Sequence, residues 1–247
     1  MNDPTPLKRL LARVRVKPAQ RGAAPRTTRK SEDLLPGPRR LKRAARERQI
    51  VSEAIRYFAE VGFGGDTRAL AKRLGVTQPL LFRYFPTKHA LIERVYQEVF
   101  VSRWNPEWER ILADRTRPLR ARLVDFYRDY ARIVLTPEWI RIFLFSGLTG
   151  QDLNQRYLKF IRDRVYTRLA EELRAHYGLP DLRRRPLEEL ELELARLLNE
   201  KIFYLGVRRW VYNVAVPADT DAVIEALVTA FLNGAPRALR ELHARRR

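Results

Sequence analysis

Cysteine is absent from the 247 residues, methionine occurs once and histidine three times. Without cysteine there is no disulfide framework, no thiolate nucleophile and no thiolate metal site, which excludes zinc fingers and cysteine hydrolases and suits a reducing, intracellular compartment. His89, His176 and His243 lie far apart with no metal-ligand spacing, so neither a metal nor a cofactor is expected. Long apolar runs are missing as well. Ile142-Phe143-Leu144-Phe145 is broken by charge within a few residues, far short of the roughly 20 apolar residues that cross a bilayer, so no membrane span and no signal-peptide core is expected. A glycine loop able to cradle phosphate is lacking, because Gly62-Phe63-Gly64-Gly65 has no preceding strand and no lysine. Glu188, Glu189, Glu191 and Glu193 form a run of carboxylates that would spread around a helix and pair with Arg184, Arg185 or Arg196 as a solvated face. With no catalytic constellation, an enzyme is not expected.

Acidic residues are scarce relative to basic ones, 29 against 49, for a net charge of +20. More than half of that excess lies in residues 1–48, which carry 15 Lys or Arg and 4 Asp or Glu. The segment 1–38 also holds six of the fifteen prolines and few large apolar residues, so it reads as a disordered basic arm. Such an arm is either a solvated tail or a strand of charge that tracks a polyanion backbone. Its Arg-rich opening, Leu7 to Val16, would also suit an organelle transit peptide.

From Arg39 onward the composition turns to helix formers. Ile50, Val51, Ala54, Ile55, Phe58 and Ala59 recur at spacings of three and four, which lays an apolar stripe along a helix over about 39–61. Gly62 suits the left-handed backbone that ends it. Thr67 is expected to cap a second helix over 68–74 that stops at Gly75. Thr77 then caps a third, with Pro79 in the first turn where its missing N–H has no partner. Phe85-Pro86 closes that helix and Thr87 caps a fourth. Two short helices joined by a tight glycine turn form a helix-turn-helix, with Leu81 and Phe85 pointing inward.

The run from Ile50 to Ile92 closely resembles the DNA-binding domain of the TetR (tetracycline-repressor-like) regulators. Leu70-Ala71, Leu74-Gly75-Val76-Thr77 and above all Leu81-Phe82-Arg83-Tyr84-Phe85-Pro86-Thr87-Lys88 carry the likeness. The resemblance implies an all-α fold, with an N-terminal three-helix, homeodomain-like helix-turn-helix and a C-terminal helical domain that binds an effector and dimerises. It implies that the third helix enters the major groove of double-stranded DNA. The DNA-facing set is then Arg46, Thr67, Arg68, Gln78, Pro79, Leu80, Phe82, Arg83, Tyr84 and Lys88, with Gln78 on a base edge and Tyr84 and Lys88 on phosphates. Here Pro79, Leu80 and Phe82 replace residues that are usually Gly, Thr and Tyr. Two polar groups that could touch DNA are thereby missing, and Leu80 is left to meet a thymine methyl. Asp66 would repel a phosphate near Thr67.

Beyond Glu93 the pattern remains helical, with helices expected at about 87–103, 106–114, 118–135, 137–148, 151–177, 187–214, 219–233 and 236–244. The domain division that follows is a basic arm over 1–38, a DNA-binding domain over 39–92 and an effector-binding and dimerisation domain over 93–247. The resemblance implies a homodimer paired through the helices at about 187–214 and 219–233, and a small apolar or aromatic effector. Trp139, Arg141, Phe143, Phe145, Tyr157, Phe160, Asn199, Phe203 and Tyr204 are the candidate pocket residues, with Gln155 as a further polar gate. The expected activity is that of a cytoplasmic, nucleoid-associated bacterial repressor of palindromic operators. The competing reading is a sequence-tolerant DNA-coating protein that relies on the arm.

Overall fold

The computed structural model describes residues 38–150 and 152–244, and every regular element among them is helical. The expected basic arm, apart from Pro38, lies outside the described residues. The compact unit considered below begins at Lys42.

Helix α1 spans Pro38–Val61 and buries the whole predicted stripe, from Ile50 to Ala59. Gly62 follows with φ +75°, a left-handed conformation that Cβ-bearing residues adopt at a cost. Helices α2 (Thr67–Arg73) and α3 (Gln78–Tyr84) pack through Leu70, Ala71 and Leu81, and Gly75 turns between them at φ +65°. Helix α4 (Lys88–Tyr96) runs on through a π-turn, Gln97–Val101, whose extra residue re-aims Val99 and Phe100 into the core.

The body adds α5 (Glu107–Ala113), α6 (Leu119–Val134), α7 (Pro137–Leu148) and α8 (Leu153–Ile161). A second π-turn, Arg162–Tyr166, leads from α8 into α9 (Thr167–His176), and α10 (Glu189–Trp210) and α11 (Thr220–Ala244) complete it. Helix α6 is the axle. Leu119, Leu123, Phe126, Tyr127, Tyr130 and Val134 are all buried along it, and each such large side chain contributes roughly 1.5–3 kcal/mol of hydrophobic stabilisation.

Several expectations need correction. The carboxylate run is not a uniformly solvated face: Glu191 is 1% exposed and its Oε1 accepts from Nε of the equally buried Arg174 at 2.8 Å. Arg174 also donates to the carbonyls of Pro180, Arg185 and Pro186, so its planar fork folds the connection between α9 and α10 around itself. A second buried carboxylate, Glu172, accepts from Arg115 and Arg122. Burial alone would raise its pKa, but those two guanidiniums outweigh burial and hold it below the ordinary carboxylate value.

The two helices expected at 219–233 and 236–244 are one, because α11 continues through Pro236. Proline leaves the carbonyl four residues back, Leu232, without its helical donor, and the Tyr177 hydroxyl supplies one at 2.8 Å. The helix expected to reach 214 ends at Trp210. In length and composition Thr220–Glu241 does reach the threshold of a membrane-crossing helix, at a mean hydropathy of 1.2, which the short run at Ile142 did not foreshadow. One side of it nevertheless buries Ile224, Val228, Phe231, Ala235 and Leu239, while Asp221 and Glu225 pair with arginines of α6.

Candidate nucleic-acid interface

The outer face of the head is built by its caps. The Thr77 hydroxyl accepts from Leu80 N–H and starts α3, and the Thr87 hydroxyl accepts from Ala90 N–H at 3.0 Å and starts α4. These are the caps that the sequence indicated. At α2 the cap is Asp66, whose carboxylate accepts from Arg68 N–H at 2.9 Å, and not Thr67. The carboxylate reaches that N–H first, so Thr67 becomes the opening helical residue and turns its hydroxyl inward.

That displacement ties α2 to α3. Gln78 Nε2 donates to Thr67 Oγ1 at 2.8 Å, and Arg68 Nε donates to Gln78 Oε1 at 3.3 Å. Gln78 therefore uses both ends of its amide within the protein, and Thr67 is buried at 8% exposure. Pro79 and Arg83 are exposed on the same helix, whereas Leu80, Phe82 and Tyr84 are half-buried. Leu81 and Phe85 are buried, as expected. Lys88 stands half-buried in the first turn of α4, where free backbone N–H groups and the helix dipole favour an anion.

Two cations outside the expected DNA-facing set shape this face. The Arg43 guanidinium lies 5.9 Å over the Tyr84 ring, which joins the start of α1 to the end of α3. Arg73 binds Glu60 at 2.6 Å and Glu53 at 2.9 Å, locking α2 to α1, and its hydrogen bond holds the Glu60 carboxyl below its ordinary pKa. Arg46 remains exposed and donates to Gln49 at 2.9 Å. A surface with Arg43, Arg46, Arg68, Arg83 and Lys88 around one short helix is chemically suited to phosphate.

The family described as "Bacterial regulatory proteins, tetR family" matches residues 50–95. The head is a TetR-family DNA-binding domain. The class A tetracycline repressor protein from transposon 1721 of Escherichia coli is 36% identical over 92 residues, covering 34% of this chain and 42% of that protein. The class G tetracycline repressor protein of Vibrio anguillarum is 32% identical over 92 residues, covering 34% of this chain and 43% of that protein. The chain thus matches less than half the length of these curated relatives. A tetR-family transcriptional regulator from Streptomyces coelicolor superposes with a TM-score of 0.55 at 18% identity, covering 81% of this chain and 86% of that one. A TetR-like regulator from Rhodococcus sp. gives 0.54 at 20% identity, covering 77% of this chain and 97% of that one. At these identities the likeness beyond the head is one of fold.

Behind the TetR-family head, the residues expected to line a pocket do not all converge. Trp139, Phe143, Tyr157 and Phe203 converge with Phe100, at ring separations of 4.9–6.3 Å. Phe160 joins their edge, 6.4 Å from Tyr157. Phe145 and Arg141 instead face the head: a Cβ on Gly62 would fall 3.0 Å from Phe145 Cδ1, and the Arg141 charge acts on Glu60. Tyr204 is half exposed and Gln155 exposed, so neither gates the aromatic centre.

Asn199 leads to a polar node that the sequence did not indicate. Its amide donates to the Tyr166 hydroxyl at 3.2 Å, and the Tyr130 and Tyr157 hydroxyls share a hydrogen bond of 3.1 Å. The Tyr127 hydroxyl is buried with no hydrogen-bond partner among the described residues. Burial pushes the Tyr130 pKa up to about 12 and holds Tyr127 and Tyr157 well above the ordinary phenol value. These tyrosines come from α6, α8 and the second π-turn, so only the packing of three segments joins them.

Proposed function

We propose that the chain is a homodimeric transcriptional repressor, with a DNA-reading domain over 39–92 and an effector-binding and dimerisation domain over 93–247. The observation that carries the reading is the capped α3, whose outer face is ringed by unburied cations while its inner face is anchored by Leu81 and Phe85. In this reading α3 enters the major groove. Arg83, Tyr84 and Lys88 hold phosphates, and Arg46 reaches the backbone from α1. Pro79, Leu80 and Phe82 offer apolar contact to base edges. Thr67 acts through Gln78, which gives up its internal bonds to Thr67 and Arg68 when it meets adenine.

A second copy of the chain fits the far side of the body. Leu190, Leu197, Tyr204 and Val211, each 39–55% exposed, follow one another at intervals of seven along α10 and just past its end. Ala222, Ala226 and Ala230 are exposed on α11 at intervals of four, with Gly234 next in the series. A heptad stripe beside a row of small residues allows two helix pairs to approach closely in a four-helix bundle. Dimerisation then sets two α3 helices about one DNA turn apart, roughly 34–36 Å, which calls for a palindromic operator. An apolar or aromatic effector in the Trp139, Phe143, Tyr157 and Phe203 region would release it, and the protein would act on bacterial chromosomal DNA in the cytoplasm.

The test is selection of bound sequences from random duplexes by purified protein at about 150 mM salt, where phosphate-only binding weakens steeply. A palindrome with half-sites about 10 bp apart, or a multiple of that, is the expected result. Binding without any sequence motif would replace this reading with the DNA-coating one.

A further inference from the structure

A cleft of about 180 Å3 opens between α6, the last turn of α10 and the first turn of α11. Leu135, Leu205, Val223 and Trp210 supply its apolar walls, and the indole is fixed because Trp210 Nε1 donates to the Leu135 carbonyl at 2.8 Å. None of the aromatic centre around Trp139 lines it.

Charge in the cleft is unbalanced. Arg128, Arg132 and Arg209 line it against the single carboxylate of Asp221. Arg132 reaches Asp221 at 3.3 Å and Arg128 at 3.8 Å. Just outside, Glu225 takes Arg128 at 3.4 Å but is shared with Arg120 at 3.2 Å. Arg209 has no carboxylate within 4 Å among the described residues and lies 4.8 Å over the Trp210 ring. Arg128 Nε is buried with no hydrogen-bond partner among the described residues, the Asp221 carboxylate standing off at 3.8 Å. A buried guanidinium donor left unbonded is costly, and a ligand oxygen that meets it recovers that cost.

We propose that this cleft binds a small apolar monocarboxylate, whose carboxylate takes over Arg132 and Arg128 from Asp221 while its hydrocarbon part lies against Trp210 and Leu205. The volume sets the size. An apolar cavity of about 150 Å3 accommodates benzene, so a benzoate-sized acid fits here. The charges select a carboxylate over a neutral molecule. The walls select it over inorganic phosphate, which would leave the indole and leucine surface uncovered. Binding exchanges one ion pair for another, and it detaches the first turn of α11 from α6, on the helix that carries the row of exposed small residues.

The experiment is calorimetric titration of the full-length protein, without DNA, using benzoate, benzamide and inorganic phosphate as probes. Its outcome is therefore independent of the operator selection. Saturable benzoate binding with one site per chain is expected, with benzamide at least about tenfold weaker because it lacks the charge-assisted bonds. Arg132→Gln, at an exposed position, is expected to weaken benzoate about tenfold or more while leaving the far-ultraviolet circular dichroism unchanged. Asp221→Asn is expected to strengthen it, since the competing carboxylate is gone. A merely structural role for the Arg132–Asp221 pair predicts weakening by both substitutions. The proposal is overturned by absence of benzoate binding at about 10 mM, a level at which even millimolar affinity registers. Benzamide or phosphate binding with an affinity equal to that of benzoate, or weaker benzoate binding by Asp221→Asn, overturns it too.

Discussion

Replacing Tyr177 with Phe removes one oxygen atom, and its effect should depend on a proline 59 positions away. Helix α11 carries Pro236 in its interior, so the Leu232 carbonyl has no N–H from its own helix, and the Tyr177 hydroxyl donates to it at 2.8 Å. An intramolecular hydrogen bond contributes about 0.5–1.5 kcal/mol net, and stranding its partner costs about 1–3 kcal/mol where water is excluded. Both residues are half-buried, so water partly compensates and the loss for Tyr177→Phe should be about 1 kcal/mol. For a chain of this size that is a fall of about 2–4 °C in Tm. Pro236→Ala restores the N–H and lifts the proline penalty, about 3 kcal/mol in a helix interior, so it should stabilise. In that background Leu232 has a helical donor again, and Tyr177→Phe should cost almost nothing. Urea denaturation of the four proteins at pH 7 and one fixed protein concentration closes the cycle, with an expected coupling of about 1 kcal/mol. Equal losses from Tyr177→Phe in both backgrounds would refute the argument that this hydroxyl is what carries α11 through Pro236.

Tyr127→Phe should raise stability by about 1 kcal/mol, because it deletes a buried hydroxyl that has no partner among the described residues; a comparable loss in denaturant melts would mean that the hydroxyl is bonded. Stability against pH should hold below pH 10, the ordinary phenol value, and fall as pH rises toward and past about 12, because burial raises the pKa values of Tyr127, Tyr130 and Tyr157 and ionisation favours the unfolded chain. Circular dichroism against pH checks this, and an unfolding step that begins below pH 9 contradicts it. Leu197→Glu, at an exposed position of the α10 stripe, should turn a dimer into a monomer in sedimentation while the helix content stays constant. Removal of residues 1–38 should flatten the salt dependence of DNA binding by roughly 0.9 log unit for each phosphate that the arm neutralises, and an unchanged slope would show that the arm does not touch DNA.

Much of the head could be read from the chain because its signals are local. Thr77 and Thr87 each bond a backbone N–H three residues on, and Gly62 and Gly75 take the left-handed conformation at the helix ends where they stand. Such interactions are complete within four residues, so nothing distant overrules them. The cap of α2 falls one residue before the expected Thr67, because Asp66 and Thr67 are both competent. The choice depends on Gln78, which offers the Thr67 hydroxyl another partner eleven residues away.

In the body, periodicity indicated where helices run but not which side of each faces what. Phe145 and Arg141 share α7 with Trp139 and Phe143, yet they turn toward the head, and Tyr204 leaves the core one residue after Phe203 enters it. Glu191 looks like the other carboxylates of its run in sequence, and Arg174 on another helix makes its burial tolerable. The sequence by itself determined the all-helical class, the helix ends in the head and its family, since these rest on local hydrogen bonding and a distinctive string of residues. The tertiary structure alone decided that Arg174 meets Glu191 and Arg122 meets Glu172, that Phe100, Trp139, Tyr157 and Phe203 converge, and why α11 runs unbroken through Pro236. Each of those depends on atoms from residues well beyond the reach of one helical turn, and no local pattern encodes that approach.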